Sequence, residues 1–259
     1  MKYASLASGS RGNCHAISDG ERILLVDAGI SLLQIRTRLT ELGLQPEQVQ
    51  GVAITHEHSD HINAIPVIIR RTNWPVLATP DTLRAIEAIK GIEIPKQRWI
   101  PLSAGLDTYW EGWSIHPFMV PHDATDPVAY RIEAAQTRLA IVTDMGYPTT
   151  LAIDYCTDLD LLAIESNHDI DMLREGPYDA RLKARVLSRV GHLSNDACAE
   201  FLQRVISPRL KHVVLAHLSE QNNDPAVARL ASVEAARQAG SAAELHVASQ
   251  SKAIGTFLA

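Results

Sequence analysis

The segment that is most informative about the fold is GVAITHEHSDHINAI, from Gly51 to Ile65. An apolar run typical of a short strand leads directly into four candidate metal ligands, which are His56, His58, Asp60 and His61. The first two lie two residues apart and can face the same way, whereas the last two follow where a helix begins. This spacing favours a site for two neighbouring metal ions over a solvated polar turn. Imidazole and carboxylate ligands suit zinc, and also manganese or iron.

The composition around this stretch is that of a globular protein. The chain has 259 residues, of which 46 % are hydrophobic and 21 % charged, enough to build a substantial core. No linker rich in proline, glycine or serine divides it, so we predict one domain over residues 1–259. The formal net charge of -6 argues against a surface coated with basic residues for nucleic acid, although a local basic groove remains compatible with it.

The cysteines and the N-terminal sequence bear on the compartment. Cys14, Cys156 and Cys198 are odd in number and widely spaced, which predicts buried thiols in a reducing environment. The N-terminal residues lack the apolar region of a signal peptide, and no run approaches the ~20 apolar residues of a membrane span. We therefore expect a cytoplasmic protein without a membrane partner. The sequence indicates no oligomeric state.

Strand and helix patterns occur in two blocks, each running from strands into alternating strands and helices. Asp19-Gly20 predicts a hairpin turn, Ser31 with Gln34 predicts a capping box, and Thr79-Pro80 predicts the start of another helix. Helices in such an order can cover the outer faces of two sheets. The predicted fold class is α/β, a four-layer αβ/βα sandwich.

The segment THEHSDH resembles the signature of the metallo-β-lactamase superfamily, whose members share the αβ/βα sandwich and a two-metal site. Later motifs of the superfamily follow in order, as MVPHDA with His122, AIVTD with Asp144 and VVLAHLS with His217. The resemblance implies one metal on His56, His58 and His122, and a second on Asp60, His61 and His217. Asp144 would bridge the two ions, with zinc as the first choice of metal and manganese as the alternative. Asp27, in LLVDAG, would orient a ligand beneath them.

Two further motifs resemble those of superfamily nucleases, including the tRNA 3′-processing enzyme RNase Z. In those enzymes a histidine before a helix protonates the leaving oxygen, and a preceding glutamate tunes it. His192 in GHLSN and Glu165 in ESNHD match them in order, so with Asp60 they are the predicted catalytic residues. Ser194 or Asn195 would cap the next helix, a favourable place for phosphate. The alternative is an ordinary loop histidine and a glutamate at a strand end.

Taken over nearly the whole chain, the motifs resemble the YycJ/WalJ-like group of bacterial metallo-hydrolases. This resemblance implies a phosphodiesterase acting on nucleic acid, DNA in preference to RNA, as a 5′ to 3′ exonuclease. A glyoxalase II-like thioester hydrolase or lactonase with the same metal site is the alternative, and a metal-stabilised protein without turnover is a third. The candidate substrate-binding residues are Ser10, Arg11, Asn13, Ser194 and Asn195.

Several other polar residues have open interpretations. The basic run ARLKARVLSR, before His192, could line a groove for a nucleic-acid backbone or form a solvated helix face. The role of His168 is undecided. Four more histidines are predicted to be structural or surface residues, namely His15, His116, His212 and His246.

Overall fold

The computed structural model describes residues 1–257 and divides into two compact units. The first comprises Met1–Pro117, Ala124–Val128 and residues 249–257, and the second comprises Phe118–Asp123 and Ala129–Ala248. The prediction of one domain over residues 1–259 stays a prediction. The fold class is confirmed, because the described residues form two mixed seven-stranded sheets with helices packed on them.

The described chain alternates between strands and helices as the two-block pattern predicts. Its strands are β1 (Lys2–Ala7), β2 (Cys14–Ser18), β3 (Ile23–Val26), β4 (Val49–Ala53), β5 (Val76–Ala78), β6 (Trp99–Pro101), β7 (Thr108–Trp110), β8 (Trp113–Met119), β9 (Val128–Ala134), β10 (Thr137–Val142), β11 (Leu161–Glu165), β12 (His212–Ala216), β13 (Glu244–Val247) and β14 (Ile254–Phe257). Its α-helices are α1 (Leu32–Glu41), α2 (Ser59–Ile62), α3 (Ile65–Arg71), α4 (Pro80–Lys90), α5 (Thr150–Tyr155), α6 (Ile170–Glu175), α7 (Ala180–Val186), α8 (Asn195–Val205) and α9 (Pro225–Gln238).

The first sheet has the strand order β14-β1-β2-β3-β4-β5-β6. Its strands β14, β1, β2 and β3 pair antiparallel, and β3 to β6 pair parallel. The carboxyl ends of parallel strands meet at one edge of a sheet, where ligands commonly bind. Asp27 follows β3 directly, and His56 follows shortly after β4, so both lie at this edge.

The second sheet has the order β13-β12-β11-β10-β9-β8-β7 and is parallel from β10 to β13. Val142 at the end of β10 pairs with Ile164 of β11, and Glu165 of β11 pairs with Ala216 of β12. Asp144, Glu165 and His217 are therefore carried to one edge by three neighbouring strands. Local sequence places each residue at a strand end, and the parallel register brings the three ends side by side.

Caps and apolar faces explain why the helices form where they do. Ser31 and Gln34 form the predicted capping box of α1, and Thr79 caps α4 with Pro80 in its first turn. Ile35 and Leu39 of α1 belong to the core of the first sheet, and Phe201 of α8 belongs to that of the second. Cys14 lies in the first core and Cys156 and Cys198 in the second, all as free thiols, whereas the cytoplasmic location stays a prediction.

Local signals also explain two helix ends. Helix α3 begins at Ile65, with Pro66, which lacks an N–H, in its first turn. Helix α7 ends at Val186, where His192 N donates to the Val186 carbonyl and Gly191 N donates to the Ser188 carbonyl. Within residues 1–257, every helix falls short of a membrane span in length or in hydropathy.

Candidate metal centre

The first unit gathers its four predicted ligands just after β4, and we call them the first cluster: His56, His58, Asp60 and His61. The ring centroid of His56 lies 4.6 Å from that of His58 and 4.1 Å from that of His61. Asp60 Oδ2 lies 3.4 Å from His61 Nε2. His56 and His61 are buried, whereas the Asp60 side chain is 21 % exposed. Three imidazoles and a carboxylate are thus concentrated at the sheet edge.

Asp27 and Thr55 hold the rings of the first cluster in place. Asp27 Oδ2 accepts a hydrogen bond from His61 Nδ1 at 2.7 Å. Thr55 donates its hydroxyl to the same carboxylate at 3.0 Å and lies 3.0 Å from His56 Nδ1, from which it can accept. The orienting role predicted for Asp27 is therefore supported by a direct contact. Thr55 was not singled out in the sequence, although its place between the strand and the histidines could have suggested it.

The loop before β2 contributes one buried residue to this edge. Asn13 accepts from Gly9 N at 2.9 Å, and its Nδ2 lies 3.1 Å from His61 Nε2 and 3.3 Å from Asp60 Oδ2. Ser10 and Arg11 are exposed. Of the three substrate-binding candidates in this loop, Asn13 therefore contacts predicted metal ligands, whereas the other two lie on the surface.

The second unit holds a cluster of four donors, which we call the second cluster: Asp144, Glu165, His192 and His217. One ligand atom from each lies within 4.8 Å of the others. Glu165 is fully buried at its centre and accepts four hydrogen bonds. Oε1 accepts from His192 Nδ1 and His217 Nδ1, each at 2.8 Å. Oε2 accepts from the backbone N–H groups of Met145 and Leu193, at 2.9 and 3.1 Å.

These four bonds change the interpretation of Glu165. A carboxylate offers about four acceptor positions, and in Glu165 all of them are occupied. With no exposed surface, Glu165 contacts the two histidines. The catalytic role predicted for Glu165 stays a prediction, and its contacts favour a positioning role. His192 differs, because its side chain keeps 21 % exposure beside partners that are almost completely buried.

Glu165 and His192 stabilise each other's charged form. Burial acts to raise the pKa of Glu165, but the His192 charge and hydrogen bond, with the bond from His217, outweigh it and lower that pKa to about 2. Burial acts in the opposite direction on His192, and the Glu165 carboxylate outweighs it and raises the His192 pKa. His168 has a pKa lowered to about 4, mainly by burial, and the structure leaves its role open.

A common pattern joins the predicted histidine ligands of both units. His61 Nδ1 is held by Asp27, His56 Nδ1 by Thr55, His217 Nδ1 by Glu165, and His122 Nδ1 by the Gly191 carbonyl at 3.1 Å. A ring engaged at Nδ1 can ligate a metal only through Nε2, and such partners typically support metal-bound histidines. This donor chemistry fits divalent zinc or manganese.

The backbone at the strand ends is unusual in the same places. Asp27, Asp144 and His217 have φ angles of 63°, 57° and 53°. Non-glycine residues rarely adopt this left-handed region, although aspartate and histidine enter it more readily than most. Such conformations cost free energy and concentrate at functional sites. Asp27 and His217 directly follow their strands and Asp144 lies two residues after β10, so each lies at a strand end within its own unit.

A network of buried side chains holds the backbone of His217, directly after β12, in place. Asn167 Nδ2 donates to the His217 carbonyl at 2.8 Å. Asn195 accepts from Ser166 Oγ at 2.7 Å and donates to Asn223 at 2.8 Å. Because Asn195 is buried and its amide is committed to this network, the structure argues for a structural role in place of the predicted substrate contact. Ser194 caps α8 by accepting from Ala197 N.

Known proteins resemble this chain in sequence and in fold. The model of the β-lactamase superfamily domain matches residues 22–218. The exodeoxyribonuclease WalJ of Streptococcus pneumoniae is 36 % identical over 240 residues, covering 92 % of this chain and 89 % of that protein. The exodeoxyribonuclease YycJ of Bacillus anthracis is 36 % identical over 230 residues, covering 89 % and 87 % of the two chains.

Among solved structures, the metallo-β-lactamase fold protein YhfI from Bacillus subtilis is similar to this chain. The TM-score is 0.75, with 18 % identity over 98 % of this chain and 99 % of that one. An identity this low supports the shared fold alone. The chain belongs to the metallo-β-lactamase superfamily, in the group that contains WalJ and YycJ.

Proposed function

We propose that this chain is a metal-dependent phosphodiesterase that degrades DNA as an exonuclease, with 5′ to 3′ polarity. The observation that carries the proposal is the Glu165 arrangement, in which one buried carboxylate holds both a candidate metal ligand and a partly exposed histidine. Both relatives, WalJ and YycJ, are exodeoxyribonucleases, which supports the choice of DNA.

The proposed cofactor is a pair of divalent metal ions, zinc first and manganese as the alternative. His56, His58 and His122 would hold one ion, Asp60, His61 and His217 the other, and Asp144 both. This assignment follows the superfamily pattern and is supported by the Nδ1 contacts within each unit. When bound, such a pair lowers the pKa of water and stabilises the charge that develops on a phosphate during displacement.

The chain's own residues would move the protons. His192 carries a proton at Nδ1, donated to Glu165, and in its charged form a second proton at Nε2. That second proton can pass to the oxygen that leaves the phosphate. The Asp60 carboxylate, whose side chain is exposed to a similar extent, would accept a proton from the attacking water. Glu165 keeps His192 oriented and stabilises its positive charge.

A basic segment leads into His192 and would bind the DNA backbone. Helix α7 carries Arg181, Lys183 and Arg185, and His192 N donates to the Val186 carbonyl of this helix at 3.1 Å. Arg189 stacks over the Tyr147 ring, 4.0 Å from its centroid. Helix α8 begins at Asn195, three residues after His192, so the positive end of its dipole favours a phosphate near His192. Affinity for DNA should therefore fall as salt rises.

Digestion of end-labelled nucleic acid tests the proposal directly. We expect the zinc- or manganese-loaded protein to shorten DNA from its 5′ end and a chelator to stop the reaction, which added metal should restore. RNA of the same sequence serves as the comparison substrate. A fully metal-loaded protein that cleaves neither DNA nor bis(p-nitrophenyl) phosphate would overturn the proposed function.

Metal counting tests the proposed ligand assignment. Asp144→Ala removes the residue proposed to contact both ions, so both should be lost or weakened. His217→Ala removes a ligand of one ion only, so it should retain more metal than the Asp144 variant. Elemental analysis after dialysis against buffered zinc measures this difference. Equal metal content in the two variants would contradict the bridging role of Asp144.

A further inference from the structure

A second type of histidine cluster lies elsewhere in the second unit, on the neighbouring strands β12 and β13. We call it the edge triad, which consists of His212, Glu244 and His246. His212 pairs directly with Glu244 in the parallel register, and Val214 pairs with His246. Glu244 and His246 lie two residues apart on one strand, so their side chains project from the same face of the sheet. The triad is therefore built by strand pairing and does not depend on a flexible loop.

The three donor atoms converge at distances suited to a metal. His212 Nδ1 lies 3.4 Å from His246 Nε2, and each of these atoms lies 3.7 Å from Glu244 Oε2. Zinc ligands at bond lengths of about 2.0–2.1 Å in a tetrahedron are about 3.3–3.4 Å apart. The observed triangle needs only a small movement of the Glu244 side chain to match one face of that tetrahedron.

The surroundings allow a cation to enter. The side chains of His212, His246 and Glu244 are 15, 30 and 71 % exposed, so the imidazoles are partly covered by neighbouring atoms while the carboxylate lies mostly in solvent. Three protein ligands leave a fourth position for water. Two imidazoles and one carboxylate are typical ligands of zinc and related transition metals, and differ from the all-oxygen sets of calcium and magnesium.

We propose that the edge triad is an additional metal site, which binds a divalent transition metal of the zinc class through His212 Nδ1, His246 Nε2 and Glu244 Oε2. The bound ion would cross-link β13, the terminal strand of its sheet, to β12. This role is separate from phosphodiester hydrolysis, since none of the three residues belongs to the first or the second cluster. The sequence-based assignment of His212 and His246 as structural or surface residues would then be incomplete.

Metal counting on matched histidine variants tests the edge triad. We expect His246→Ala to bind one zinc fewer per chain than the unaltered protein. His116→Ala, which removes a histidine paired with Asp107 in the other unit, should bind the unaltered amount. Glu244→Gln, at an exposed position that should not affect folding, is expected to weaken the same site. Equal zinc content in the unaltered protein, His246→Ala and Glu244→Gln would overturn the proposal.

Amide hydrogen exchange tests whether the ion that His246→Ala no longer binds is located at β13. Zinc should slow exchange in β13 of the unaltered protein and of His116→Ala, but not of His246→Ala. Zinc-dependent protection of β13 that persists in His246→Ala would also overturn the proposal. Because each variant is compared with the unaltered protein, the outcome does not depend on whether the first and second clusters hydrolyse DNA, and we expect DNA cleavage to be unchanged in His246→Ala.

Discussion

His192→Ala should lower kcat for DNA by about 10²–10⁴-fold, the range typical of a lost general acid. The physical reason is that the leaving oxygen of DNA needs a proton, and His192 is the partly exposed member of the second cluster, with its positive charge stabilised by Glu165. Rates of digestion of end-labelled DNA under single-turnover conditions measure the loss.

The choice of leaving group makes this test specific. Bis(p-nitrophenyl) phosphate releases p-nitrophenolate, which departs without protonation, so its hydrolysis should fall much less than DNA cleavage in the same variant. Zinc content should stay close to that of the unaltered protein, and His116→Ala should cleave both substrates normally. Equal losses on the two substrates would show that His192 does not donate a proton to the leaving group. Little loss on either, with strong thioester hydrolysis, would favour the thioesterase alternative.

Glu165→Gln should reduce both metal affinity and activity by about 10–100-fold, as expected for a residue that orients metal ligands. The carboxylate accepts from two imidazole Nδ1–H groups on one oxygen and from two backbone N–H groups on the other. A glutamine must direct its NH₂ group at one of these pairs. Facing the backbone, it leaves N–H groups unsatisfied, at a cost of about 1–3 kcal/mol in the free energy of unfolding.

The other orientation of the glutamine amide, with its NH₂ group toward the two imidazoles, is also unfavourable. An NH₂ group facing His217 requires Nδ1 to accept, which moves the ring proton to Nε2 and prevents that atom from ligating a metal. In contrast to His192→Ala, we therefore expect a clear loss on bis(p-nitrophenyl) phosphate, because metal binding is impaired. DNA cleavage should fall at least as far, because it also needs the His192 proton that Glu165 supports. Elemental analysis, denaturant unfolding and both assays measure the outcome. Glu175→Gln, at an exposed position at the end of α6, is the matched control. Normal zinc content and activity in Glu165→Gln would contradict the positioning role.

Short-range sequence patterns were enough to predict the elements and the ligand types. Apolar runs ended at Asp27, Asp144 and His217, and the capping box at Ser31 predicted the start of α1, because these signals depend on residues close together in the chain. The spacing of His56, His58, Asp60 and His61 predicted a metal site for the same reason, since four candidate ligands within six consecutive residues lie close together in space.

Contacts between residues far apart in the chain followed from the folded structure alone. The four hydrogen bonds accepted by Glu165, the bond from His61 to Asp27 and the bond from Ser166 to the buried Asn195 join residues separated by 20 or more positions. The pairing of β12 with β13 likewise converted two unremarkable histidines and a glutamate into the edge triad. Local sequence patterns report which face of an element is apolar, but strand order and register choose its neighbours. The partners that select a ring nitrogen or a proton donor are therefore set by long-range packing.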